Sequence, residues 1–107
     1  MRAIREVVRD FCEFRVPAEF RDRVRLVYAI EGQSVVIRES RPNWDDPSKW
    51  RESDIAKIRY ISKSNEWKLY WKRASGKWWP YEPVPHSRTL AAVIEEIDED
   101  KYHCFFG

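Results

Sequence analysis

The chain has 107 residues and a formal net charge of +2, and its 43% hydrophobic and 15% aromatic content excludes a disordered chain despite 36% charged residues. Its length predicts one domain over residues 1–107, and the nearly balanced charge does not by itself favour any class of partner. No apolar run is long enough for a membrane span, the charged start does not resemble a signal peptide and two cysteines are too few for a disulfide scaffold, so we expect a cytoplasmic protein with no membrane partner.

The first predicted element is an amphipathic helix over residues 1–14. Its apolar residues recur at three- and four-residue spacing, which places them on one face of a helix. They are Ile4, Val7, Val8, Phe11 and Phe14. Pro17 is expected to keep the helix from continuing, because the residue before a proline avoids the helical region.

Beyond this helix the apolar period changes from 3.6 to two, which is typical of half-buried strands. Five strands are predicted, over residues 24–30, 34–40, 55–61, 67–72 and 78–82. Pro80 and two later prolines confine the fifth strand to a sheet edge, because proline cannot donate to a strand ladder. The links between strands are too short for a helical crossover, so the sequence predicts an antiparallel meander.

A closing helix is predicted from Leu90, with Thr89 as its N-cap. Acids at its end are unfavourable for the helix dipole, so we expect the helix to end near Ile97 unless these acids face a basic surface. The acids are Glu95, Glu96, Asp98, Glu99 and Asp100. The whole pattern predicts an α+β fold with an N-terminal helix, a five-stranded antiparallel β-meander and a C-terminal helix, both helices being packed on one sheet face.

Sorting the strand residues by odd and even position separates an apolar face from a basic one. The apolar face is predicted to hold Val24, Leu26, Tyr28, Ile30, Val35, Ile37, Ala56, Ile58, Tyr60, Trp67, Leu69 and Trp71. The other face is predicted to present a basic patch of Arg23, Arg25, Arg38, Lys57, Arg59, Lys68, Tyr70 and Lys72. Glu66 is the only acid expected on that face.

Three interpretations of the basic patch are open. Its cations would release counterions from phosphates and Tyr70 could stack on an unpaired base, which favours nucleic acid as a partner. The patch could instead receive an acidic protein surface, including residues 95–100 of a second copy in a homodimer. A solvated sheet face also accumulates long cationic side chains without any partner.

A second candidate surface is the polar loop over residues 41–50, which carries Trp44 and Trp50. If exposed, the two indoles would form an aromatic contact for a protein or a ligand. If the loop folds back, they would instead cap one end of the core. The sequence leaves both interpretations open.

For chemistry, we favour a binding module over an enzyme, with no catalytic residue, no metal and no cofactor. The His and Cys residues lack metal-ligand spacing, and there is no nucleophile elbow or phosphate-binding glycine loop. The alternative is a small metal-dependent nuclease-like enzyme, because Glu66 and Lys68 match the acid-x-Lys half of such a site and Asp54 could be a distant carboxylate. A hairpin turning at residues 62–65 would separate Asp54 from Glu66, which weakens this alternative.

The chain carries two uncommon Trp-rich segments, WKLYWKR at residues 67–73 and KWWPYEP at residues 77–83. Together with residues 28–35, 41–44, 89–90, 97–100 and 104–107, they resemble the bacterial family called domain of unknown function 3024. The resemblance implies a small stand-alone bacterial protein of the cytoplasm and brings no activity or site residue with it. Trp79 departs from the family pattern, which has a polar residue after a single tryptophan, and is expected to add an exposed aromatic side chain.

Overall fold

A computed structural model describes residues 2–106, with side chains from residue 4 onward. Over this range there are two helices, a short 3-10 turn at Ala18–Phe20 and six strands. The helices are α1 (Arg2–Arg15) and α2 (Leu90–Glu99). The strands are β1 (Arg25–Glu31), β2 (Ser34–Pro42), β3 (Trp50–Ile61), β4 (Glu66–Lys72), β5 (Trp78–Pro80) and β6 (His86–Ser87). The predicted helix start at Met1 and the last residue of the family resemblance, Gly107, lie outside the described residues.

The sheet is an antiparallel meander in the order β1-β2-β3-β4-β5, and β6 also pairs with β4. This confirms the predicted α+β class and the order of the five predicted strands. β3 begins at Trp50 rather than at residue 55, and β6 was not predicted because two residues after Pro85 carry no readable period. Neither helix of residues 2–106 is long and apolar enough to span a membrane.

Both helices pack on one face of the sheet, and the core lies between the two layers. α1 contributes Val8 and Cys12, and α2 contributes Val93 and Ile97. The buried residues that the sequence assigned to this face of the sheet are Leu26, Val35, Ile37, Ala56, Ile58 and Leu69. The partly buried residues that pack against them are Val24, Tyr28, Ile30, Trp67 and Trp71. The ring of Tyr60 lies against that of Trp67 in a tilted arrangement, with 4.7 Å between ring centres. The two-residue period therefore identified the dry face of the sheet correctly.

The apolar residues of α1 do not all face the core, contrary to the prediction. Val8 is fully buried, whereas Val7 is 40% exposed and Phe14 is 82% exposed. Val7 and Phe14 are seven positions apart, so they lie along one stripe of the helix, next to the stripe of Val8 and Cys12. Val8 and Cys12 are buried in the core, and Ile4 and Phe11 pack partly against it.

α2 begins as predicted and ends two residues later than predicted. The Thr89 hydroxyl accepts a hydrogen bond of 3.3 Å from the N–H of Ala92, as an N-cap does. Asp100 follows the last helical residue in a left-handed conformation, with φ of 45°. Its buried carboxylate accepts the N–H of Phe105 at 3.0 Å and that of Phe106 at 2.8 Å, which ties the C-terminal segment to the helix end.

Cations near the end of α2 offset its acids, which explains why the helix continues past Ile97. Asp98 Oδ1 lies 3.1 Å from Arg15 Nε of α1. Lys101 Nζ lies 3.4 Å from Glu96 Oε1 and 3.3 Å from Glu99 Oε2. Three of the five acids therefore meet cations within the same chain, and these cations are not members of the predicted basic patch.

Candidate functional site

A β-bulge in β3 determines which side chains lie on the face of the sheet that points away from the helices, which we call the open face. Ile37 pairs with Ala56, but the next residue of β2, Arg38, pairs with Asp54, so Ile55 is the extra residue. The bulge moves the residues before it to the opposite face from the one that simple alternation assigns. Asp54 therefore lies on the face of the predicted basic patch.

Asp54 binds two of the predicted site residues. Arg38 Nε lies 2.8 Å from Asp54 Oδ1, and Lys72 Nζ forms an ion pair with Asp54 Oδ2. Glu31 supplies a second carboxylate to Arg38, with 3.0 Å between Nη2 and Oε2. The prediction that Glu66 is the only acid on this face was wrong. Assigning residues to faces by odd and even position assumes that the strand has no bulge. Arg38 and Lys72 are paired within the chain.

The ion pairs hold the pKa of the Asp54 carboxyl below its ordinary value of 3.8. Burial is the largest single influence and disfavours the charged form, but the hydrogen bonds and charges of Lys72 and Arg38 together outweigh it. Because the pKa is lower in the folded protein than in the unfolded chain, ionised Asp54 adds stability above about pH 4. That stability is lost as the pH falls through the folded-state value.

This linkage predicts how the variant Asp54→Asn responds to pH. The difference in free energy of unfolding between wild type and Asp54→Asn should be constant from about pH 5 to pH 7 and should shrink between about pH 4 and pH 2. Urea denaturation of both proteins at each pH measures it. A difference that does not change with pH would show that the ionised carboxylate does not stabilise the fold.

Arg23 and Arg25 do not join the rest of the basic patch. Arg23 precedes β1, and its N–H donates to the Phe20 carbonyl at 2.9 Å in the connection from the 3-10 turn. Arg25 opens β1, where its guanidinium lies 4.5 Å from the ring centre of Trp50 and its Nε donates to the Arg21 carbonyl at 2.9 Å. The Arg25 side chain therefore has local partners at one end of the sheet, and Arg23 lies outside the strand.

Four residues of the predicted patch form one continuous group, which we call the cationic strip: Lys57, Arg59, Lys68 and Tyr70. Lys57 pairs with Tyr70 and Arg59 pairs with Lys68 across β3 and β4, so the four side chains share the face away from the helices. Arg59 and Lys68 are exposed, and Lys57 and Tyr70 are half-buried. Within residues 4–106 the three cations form no ion pair. The strip therefore presents uncompensated positive charge beside an aromatic ring.

Two side chains that the sequence reasoning missed border the cationic strip. His86 of β6 pairs with Lys68, and its Nδ1 lies 3.9 Å from Glu66 Oε1. Trp78 of β5 pairs with Lys72, whose Nζ lies 5.3 Å from the centre of the indole ring. Trp78 could have been placed on this face by parity within its strand, whereas nothing in the sequence pattern indicated β6.

The two tryptophans of the predicted contact loop are in different environments. Trp44 is 89% exposed, so the interpretation in which it folds back onto the core is wrong. Trp50 is the first residue of β3 and lies under Arg25, with 36% of its surface exposed. The loop between them is closed by a hydrogen bond of 2.8 Å from the N–H of Asn43 to the carbonyl of Lys49. One indole is therefore open to solvent, and the other is engaged by an arginine.

Trp79 is exposed as predicted, with 45% of its surface accessible, but it is not free of contacts. It pairs with Trp71 across β4 and β5. The Arg73 guanidinium lies 4.8 Å from the Trp79 ring centre and 5.7 Å from that of Trp71. This arrangement stabilises the end of the β4–β5 hairpin through cation–π contacts.

The structure brings no carboxylate pair together for the nuclease-like alternative. Asp54 lies at one end of the β3–β4 ladder, beyond the Ala56–Trp71 pair, and Glu66 lies at the other end, opposite Ile61. Among the described residues there is no cluster of three His, Cys, Asp or Glu side chains that could hold a metal ion. This face instead carries the three cations of the strip beside the rings of Tyr70 and Trp78.

Comparison with known proteins gives a family match that covers the whole chain. Residues 1–107 match the family model described as "Domain of unknown function (DUF3024)". No curated protein matches the chain, and no solved structure does. The match includes both Trp-rich segments and both strands that carry the cationic strip.

Proposed function

The chain belongs to the DUF3024 family, as its resemblance predicted, and we propose that it is a non-enzymatic binding module whose cationic strip binds single-stranded nucleic acid. The observation that carries the proposal is the grouping of Lys57, Arg59 and Lys68, which have no acidic partner in the described part of the chain. On the same face, Asp54 neutralises the neighbouring cations. The strip is thus the part of the basic patch that remains available to an anion.

The chemistry of the strip fits a phosphate backbone with accessible bases. Cations at the spacing of neighbouring strands can contact successive phosphates and release their counterions. Tyr70 lies directly across from Lys57, where its ring could stack on an unpaired base, and Trp78 lies further along the same face. Stacking of this kind requires bases that are not already paired in a duplex. These features favour a single strand over a double helix.

An acidic segment from a second copy is a weaker occupant of the strip. Four of the five acids at the end of α2 already have partners inside the chain. Asp98 pairs with Arg15, Glu96 and Glu99 pair with Lys101, and Asp100 accepts two backbone N–H groups. Transferring them to another molecule would break these contacts, so the phosphates of a nucleic acid are the better match.

The test is equilibrium binding of a fluorescent single-stranded oligonucleotide, followed by anisotropy, to wild type and to Asp54→Asn. Loss of the Asp54 charge frees Lys72 and one side of Arg38 beside the strip. The affinity should rise roughly fivefold at low salt. The slope of log affinity against log salt concentration should steepen by up to about 0.7, the amount expected for one additional phosphate contact with a single strand. Unchanged or weaker binding by a correctly folded Asp54→Asn would contradict the proposed site.

Asp45→Asn is the matched control for this experiment. It changes the net charge by the same amount, and Asp45 is an exposed residue of the loop that carries Trp44. If binding depends on net charge alone, both variants should bind more tightly by the same factor. If the strip is the site, only Asp54→Asn should gain affinity. A duplex of the same sequence should bind more weakly than the single strand.

The proposal places this module in the cytoplasm of a bacterial cell. Cys12 and Cys104 are both free thiols, as expected in a reducing compartment. Burial raises the pKa of the Cys12 thiol to about 12, which keeps it protonated and unreactive. Burial also raises the pKa of the Cys104 thiol, so neither cysteine is assigned a part in binding.

A further inference from the structure

His86 lies at one end of a row of side chains on the open face. It pairs with Lys68 across β4 and β6, and Lys68 pairs with Arg59 across β3 and β4. Side chains that pair directly point to the same face, and neighbouring strands lie about 4.8 Å apart, so the row extends about 10 Å. Two of its members are permanent cations. The third is histidine, the side chain that ordinarily gains or loses its charge between about pH 5 and pH 8.

We propose that His86 is a fourth cationic contact of the strip and that its protonated ring binds a phosphate of the same nucleic acid. This role rests on the proposed nucleic-acid site, and it adds that binding takes up a proton from the solvent. The protonated ring carries a full charge and donates from both nitrogens, whereas the neutral ring donates from one. Hydrogen bonds from a charged donor to phosphate are the stronger kind, so protonation should strengthen the contact.

The surroundings of His86 leave its ring open to a ligand. Its side chain is 59% exposed, and its Nδ1 lies 3.9 Å from Glu66 Oε1, which is too far for a hydrogen bond. The other Glu66 oxygen accepts a hydrogen bond of 3.3 Å from the hydroxyl of Ser64. α2 also packs against β6, but its first turn carries no acid. Glu66 is the only acid paired with His86 in the described part of the chain, so Nε2 is the ring nitrogen left to contact a phosphate.

The charge of Glu66 makes the charge of His86 important to the strip. Glu66 shares the open face with Lys68, two positions along β4, so its carboxylate repels phosphates at this end of the row when His86 is neutral. A protonated His86 offsets that carboxylate and leaves the positive charges of Arg59 and Lys68 unopposed. The backbone of a nucleic acid can then follow the row as far as β6.

The test is the affinity for a fluorescent oligothymidylate, measured by anisotropy at about pH 8 and at about pH 5.5, on either side of the ordinary histidine titration. Neither thymine nor the phosphodiester changes charge in this range, and Asp54 stays ionised because its pKa lies below 3.8. Wild type should bind roughly fivefold more tightly at the lower pH, and the slope of log affinity against log salt concentration should steepen by up to about 0.7. His86→Gln should show neither change. His86→Lys should bind at both pH values about as tightly as wild type does at the lower one.

His103→Asn is the matched control, because His103 is the other of the two histidines and follows α2 rather than the strip. Asparagine tolerates the left-handed backbone of that residue, whose φ is 57°. This variant should keep the full response to pH. Wild type that binds at the higher pH but gains nothing at the lower one would overturn the role of His86 and leave the strip in place, as would an equal gain in His86→Gln. Absence of binding at both pH values would contradict the strip itself and this role with it.

Discussion

The double variant Lys57→Glu/Lys68→Glu should bind single-stranded nucleic acid about 100-fold more weakly than wild type at low salt. It removes two of the three uncompensated cations of the strip and puts two carboxylates next to the phosphates. For a single strand, each lost phosphate contact makes the slope of log affinity against log salt concentration shallower by about 0.7. The residual binding should therefore be nearly independent of salt. Anisotropy titrations across a salt series measure both effects.

The variant Arg5→Glu/Lys49→Glu provides the matched control for charge reversal. It changes the net charge by the same four units, and both residues are exposed, on α1 and in the loop between β2 and β3. It should retain most of the wild-type affinity, because neither side chain lies on the strip. Equal losses in the two double variants would mean that the protein attracts nucleic acid through its overall charge and has no defined site.

Asp100→Ala should lower the free energy of unfolding by at least about 3 kcal/mol. The substitution leaves the buried N–H groups of Phe105 and Phe106 without their charged acceptor, and each such loss costs about 1–3 kcal/mol. It also places alanine in a left-handed conformation, which costs about 1 kcal/mol. The affected segment is part of the core, since Phe105 is 5% exposed and lies 4.9 Å from the ring of Tyr81.

Two further variants separate these contributions in urea denaturation. Asp100→Asn keeps a residue that tolerates the left-handed conformation and retains one acceptor oxygen, so it should lose about half as much stability as Asp100→Ala. Asp98→Ala removes a neighbouring acid whose ion pair with Arg15 is largely exposed, and it should cost less than about 1 kcal/mol. An Asp100→Ala protein as stable as Asp98→Ala would contradict the role assigned to this carboxylate.

The parts of the fold that follow from local pattern could be predicted from the sequence. Alternation along residues 34–40 and 67–72 placed Val35, Ile37 and Leu69 in the core because the side-chain period of a strand is two. Thr89 was identified as an N-cap because its hydroxyl precedes a helical apolar pattern. These signals are local, and they assigned the core-facing residues of both strands correctly, although Val36, which they placed on the solvent-facing side, is also buried.

The parts that depend on register or on distant segments could not be predicted. Alternation failed at Ile55, where one extra residue moved Asp54 to the open face and joined it to Arg38 and Lys72. A bulge of this kind follows from the pairing of two strands, and the composition of one strand does not reveal it. Likewise, the helical spacing of Phe14 gave no sign that its side chain would remain exposed.

The most direct test of the cationic strip is the slope of log affinity against log salt concentration for wild type and a single-stranded oligonucleotide. Three phosphate contacts by Lys57, Arg59 and Lys68 predict a slope of about −2. Binding that is undetectable at low salt, or a slope near zero, would mean that these cations are hydrated side chains of the open face that bind no nucleic acid.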